Sequence, residues 1–129
     1  MRKRLGLFKG FTLIELLVVL SIIATLLTLA APRYFQHVER SKEAVLRENL
    51  AGVRQALDQY HADKGVWPAS LQTLVEDRYL RALPLDPITE SSETWVLEAP
   101  PDEKSEAGVY NLHSGAEGNG SDGKPYAEL

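Results

Sequence analysis

One carboxylate stands where carboxylates are costly. Glu15 is the single formal charge in residues 11–31 (FTLIELLVVLSIIATLLTLAA), and the sixteen residues from Leu16 to Ala31 carry none. A carboxylate inside an apolar helix costs ~2.5–3.5 kcal/mol at a bilayer centre and less near an end, so it is usually paired with something. Just ahead of it lies MRKRLGLFKG, with Arg2, Lys3, Arg4 and Lys9 and no acid. Four cations beside an apolar run are a cytoplasmic flank for a membrane-targeted segment.

Other residue types that could do chemistry do not assemble into a recognisable site. His37, His61 and His113 lie far apart and lack metal-ligand spacing. Ser114 follows His113, but neighbours on a strand point to opposite faces, so the pair makes no catalytic triad by itself. Gly115–Gly123 lacks the Gly-Lys-Ser/Thr ending of a phosphate loop and opens no helix. The chain has no cysteine, which excludes disulfide scaffolds, thiolate zinc sites and a Cys nucleophile. Lys plus Arg is 14 against 18 Asp plus Glu, a net charge of −4. From Pro84 onward ten acids face only Lys104 and Lys124, which argues against nucleic acid as a partner.

These groups need elements to carry them. Residues 11–31 would span ~32 Å as a helix, about one hydrocarbon core. The 129-residue chain therefore has about 100 residues left for one small domain. Past Pro32, Leu46, Leu50, Val53, Leu57 and Tyr60 recur at helical spacing, with Tyr34, Val38 and Val45 near the same face. Glu39, Arg40, Lys42, Glu43, Arg47 and Glu48 form a solvated face, with Glu43/Arg47 and Arg54/Asp58 at i,i+4. The pattern predicts one helix over 12–63, kinked at Pro32 and capped near Gly65. Ser70 opens a short second helix from Leu71 to about Tyr79, with Leu71, Leu74 and Val75 inward. Thr94–Leu97 and Val109–His113 are strands, separated by a solvated turn over Ala99–Gly108. Trp67 and Trp95 read as anchors between sheet and helix. The glycine-rich tail from Ser114 is a loop.

The string Lys9-Gly10-Phe11-Thr12-Leu13-Ile14-Glu15 resembles the type IV prepilin signature. That resemblance implies cleavage after Gly10 by a membrane prepilin peptidase and N-methylation of Phe11. Glu15 becomes the fifth mature residue and Pro32 the twenty-second, where such helices often bend. After the cut, each chain would start with an ammonium at the depth of a neighbour's Glu15. Staggered identical subunits repeat that pairing without closure and so make a filament. Two readings compete: a secretory signal ending before Ala31, and a plain single-pass anchor.

Lys64-Gly65-Val66-Trp67-Pro68 and Tyr79–Pro87 are similar to the post-helix segment of the major pseudopilins of type II secretion systems. Tyr110–Gly118 resembles their last strand and the start of their C-terminal loop. In many of them that loop binds calcium through closely set aspartates. Here Ser114, Glu117 and Asp122 are the candidate ligands, joined by Glu128, with only one aspartate among them. Calcium takes six to eight oxygens.

The expectation is an α+β protein: a long N-terminal helix, a short helix and a small antiparallel sheet, as in type IV pilins. Its parts would be a cleaved leader (1–10), a transmembrane and assembly helix (11–31) and a periplasmic domain (32–129). The resemblance implies a non-enzymatic filament subunit, held in the bacterial inner membrane with its N-terminus cytoplasmic and pulled into a periplasmic filament. Its partners would be further copies of itself, the prepilin peptidase, an inner-membrane assembly platform and minor pseudopilins. A subunit of a type IV pilus or DNA-uptake filament is the alternative. An anchored periplasmic binding module or enzyme is the reading from a different class.

Overall fold

The computed structural model describes residues 9–101 and 107–129. The basic positions Arg2, Lys3 and Arg4, and the middle of the expected Ala99–Gly108 turn, lie outside the described residues. The chain divides into two compact units, one ending at Gln36 and the other running from His37 to Leu129. Helix α1, Leu13–Lys64, supplies residues to both, and each unit is described by itself.

In the N-terminal unit, Thr12 starts the helix. Its Oγ1 accepts the Glu15 backbone N–H at 3.1 Å and its carbonyl accepts from Leu16 N at 3.1 Å. A hydroxyl at the N-cap satisfies one of the four donors that a helix start leaves unpaired. The apolar side chains beyond it are exposed: Leu17 is 55 % exposed, Ile22 54 % and Leu29 69 %. The most apolar 18-residue window has a mean hydropathy of 2.6, long and apolar enough to cross a membrane. Pro32 lies inside α1, which continues through it.

In the C-terminal unit the helical stripe packs as its spacing predicts. Leu46, Leu50, Val53, Leu57 and Tyr60 are buried, with Ala56 beside them. Val45, expected near that face, is 45 % exposed. Gly65 ends the helix at φ 72°, a left-handed conformation that costs glycine little, and its N–H bonds to His61 O at 2.8 Å. Ser70 caps α2, Leu71–Glu76, by accepting from Thr73 N at 3.3 Å. This helix is shorter than expected and buries Leu71 and Leu74.

Two three-residue strands follow, β1 (Val96–Glu98) and β2 (Asn111–His113). They pair antiparallel, with Leu97 opposite Leu112. Leu112, Val109 and Trp95 complete the core, and Trp67 packs against it. The Trp95 indole N–H donates to Pro84 O at 3.0 Å, which fixes the two-proline loop over it. A 3-10 turn, Tyr126–Glu128, interrupts the tail that was expected to be loop throughout. The architecture is the expected α+β arrangement.

Candidate processing, assembly and loop sites

Lys9, Gly10, Phe11 and Thr12 precede the first helical turn and adopt no regular structure. Gly10 is exposed, and a Cβ built on it meets nothing within 4 Å. Phe11 is 81 % exposed. The Gly10–Phe11 bond therefore lies in accessible chain one residue before the helix cap. Glu15 sits in the first turn of α1, where the positive end of the helix dipole favours a carboxylate. Thr12-Leu13-Ile14-Glu15 also has the spacing of a capping box, a helix-start pattern visible in the sequence but read there only as part of the signature.

Three hydroxyls interrupt the apolar helix, and each is turned inward on its own backbone. Ser21 donates to Leu17 O, Thr25 to Ser21 O and Thr28 to Ala24 O, all at 2.8 Å. These three donors are thus satisfied within the helix, as hydrocarbon surroundings require.

Two of the candidate calcium residues have protein partners. Ser114 is buried and donates its hydroxyl to Asp86 Oδ2, while its oxygen accepts Ala116 N at 3.1 Å. Asp86 is itself fully buried and accepts Ile88 N at 2.9 Å. Asp122 bonds to Arg47 Nη2 at 3.2 Å and accepts Lys124 N at 3.1 Å. The Lys124 amide, and then the Arg47 charge, hold the Asp122 carboxyl below its ordinary value. Glu117 is exposed. Among the described residues, no group of three or more His, Asp or Glu side chains is placed to hold a metal ion. Ser114 and Asp122 thus serve separate partners, Asp86 and Arg47.

The sequence reading also missed what holds the loop. Glu43 and Arg47 were assigned to one solvated, i,i+4-paired face. Instead Glu43 is buried, 6 % exposed, and reaches Ser121 in the tail. Arg54 was paired with Asp58 by spacing, yet it donates to Asn111 Oδ1, Leu112 O and Leu129 O at 2.8, 3.0 and 2.8 Å. None of these partners has a local sequence signature.

Comparison with known proteins fits this layout. A family model for the prokaryotic N-terminal methylation motif matches residues 7–31. The fimbrial protein EcpC of Eikenella corrodens is 46% identical over 61 residues, covering 47% of this chain and 40% of that protein. The chain thus spans about two fifths of the length of that relative. The type II secretion system core protein G of Escherichia coli (strain K12) is 30% identical over 122 residues, covering 82% of this chain and 79% of its own. The core protein G of Klebsiella pneumoniae is 32% identical over 95 residues, covering 61% and 68%. No solved structure matches. Similarity that runs past the helix into the folded unit, over more than two thirds of two such relatives, shows that this chain belongs to the type II secretion system core protein G family.

Proposed function

We infer that this chain is a structural, non-enzymatic subunit of a periplasmic pseudopilus-type filament. The inner membrane holds it by α1 until prepilin peptidase cuts Gly10–Phe11 and methylates Phe11. An assembly platform then draws it, with minor pseudopilins, into a filament that drives type II secretion. The observation that carries this reading is the N-terminal unit. The stretch of α1 from Leu13 to Ala31, capped by Thr12, has one carboxylate in its first turn and an exposed, predominantly apolar surface. Such a surface needs lipid or other copies around it. The Glu15 carboxylate would neutralise the Phe11 ammonium of the next copy, a pairing that each added subunit repeats.

A type IV pilus subunit is the second reading, favoured by the 46% identity to EcpC. That match covers 47% of this chain, whereas the Escherichia coli core protein G match covers 82%. The longer match supports the secretion reading.

Intact-mass measurement of the membrane-extracted protein tests the processing step. Loss of residues 1–10 with one added methyl group is the expected result. A mature start at Ala31 would instead mark an ordinary secretory signal and end the filament reading. Gly10→Val should leave the leader attached, because a branched side chain does not fit a position used to glycine.

A further inference from the structure

The glycine-rich tail packs Tyr126 and Leu129 against the core, and polar contacts hold the turn ahead of them to α1. Two α1 side chains one turn apart reach it. The Glu43 carboxylate accepts the Ser121 backbone N–H through Oε1 at 2.5 Å and the Ser121 hydroxyl through Oε2 at 2.8 Å. Arg47, on the next turn, donates to Asp122 Oδ2 at 3.2 Å. Between them a turn closes on itself: Gly120 N bonds to Lys124 O at 2.8 Å and Gly123 N to Gly120 O at 3.1 Å. Tyr126 follows, and burial first and then the Glu43 and Glu39 charges raise its hydroxyl above its ordinary value.

We propose that Glu43 and Arg47 form a built-in clamp that replaces a divalent cation in organising the C-terminal loop, so that this subunit folds without calcium. Three features support it. The first is the direction of the hydrogen bonds. Both Glu43 oxygens already receive donors from the loop, and a site lined by N–H and O–H donors attracts anions rather than cations. The second is the charge supply. Arg47 brings a permanent cation to Asp122, the one aspartate in the tail, and a guanidinium stays protonated at every working pH. The third is that, among the described residues, no buried side-chain nitrogen or oxygen lacks a hydrogen-bond partner. The clamp belongs to the folded unit and stands independently of the filament reading.

Hydrogen exchange over residues 118–126, read by mass spectrometry on the detergent-extracted full chain, tests it. Wild-type loop amides should exchange equally slowly in calcium chloride and in EDTA. Glu43→Ala should speed loop exchange about tenfold or more in both conditions, as expected when bonds to a charged acceptor are lost. Arg47→Ala, at an exposed position, should speed it about twofold with far-UV circular dichroism unchanged. If Glu43→Ala loosens the core as well, Ser121→Ala supplies the reading, since it removes only the loop's hydroxyl donor. Faster wild-type exchange in EDTA than in calcium would overturn the proposal. So would loop exchange that stays unchanged in both Arg47→Ala and Ser121→Ala.

Discussion

The N-terminal unit and the C-terminal unit settle their polar and apolar groups in opposite ways. Up to Gln36, the Ser21, Thr25 and Thr28 hydroxyls bond to their own helix backbone and apolar side chains stay open. From His37 on, apolar side chains find one another, and polar groups find partners far along the chain. Glu43 bonds across 78 residues to Ser121, and Arg54 across 75 to Leu129. The first unit pairs its backbone within α1 and leaves its apolar surface open. The second supplies its own interior. A substitution in one unit should therefore leave the other's property untouched, and variants can be chosen to break that separation.

The largest expected effect is on assembly. Glu15→Ala removes the costly carboxylate, so membrane insertion becomes easier. A neighbour's ammonium then enters an apolar bundle without its partner, a loss of ~3–5 kcal/mol for breaking a buried pair. Sheared-filament yield should collapse while membrane-extracted monomer and its melting temperature stay at wild-type levels. Normal filament yield would show that Glu15 does not organise assembly.

Leu50→Ala should do the reverse. Leu50 is 1 % exposed, and truncating such a residue costs ~2–5 kcal/mol through lost transfer energy and a cavity. The melting temperature should drop by ten degrees or so, whereas cleavage at Gly10–Phe11 should proceed. Impaired cleavage in this variant would mean that the two units are not separable.

The contrast between units also explains what the sequence showed and what it hid. Leu46, Leu50, Val53, Leu57 and Tyr60 were legible because period 3.6 is imposed by one helix on one core, and Ser70 because a cap is a local event. Glu15 stood out because a charge in an apolar run is locally anomalous. Glu43 was hidden because a carboxylate among Glu39, Arg40, Lys42 and Arg47 looks like its neighbours. Only the return of the tail buries it. Asp86 and Ser114, which bond to each other across 28 residues, leave no trace in periodicity either. Val45 was misplaced because it falls at the margin of the stripe, where helical spacing alone does not separate buried from exposed.

The smallest effect concerns pH at the end of α1. Tyr79 donates its hydroxyl to Asp63 at 2.8 Å, and that bond raises the phenol above its ordinary 10.0. Lys64 bonds to Asp77 at 3.1 Å, and that bond followed by the charge attraction raises the amine above 10.5. Both groups hold their protons more tightly when folded. Their stabilisation is fully present below the unfolded values and is lost as pH rises through the folded ones. Both pairs are exposed, so the effect is small. Tyr79→Phe should melt slightly below wild type at neutral pH, and the difference should close above pH 10.0. A difference that persists at higher pH would show that the loss does not come from this hydrogen bond.

The inward-turned hydroxyls of Ser21, Thr25 and Thr28 have a consequence for packing. Because each is already bonded to its own backbone, moving α1 from lipid to a bundle of like helices neither breaks nor makes a side-chain hydrogen bond along that stretch. In a filament of the proposed kind, adjacent helices would be held along that stretch by apolar packing, with the proposed Glu15 pair as the polar contact that fixes their register.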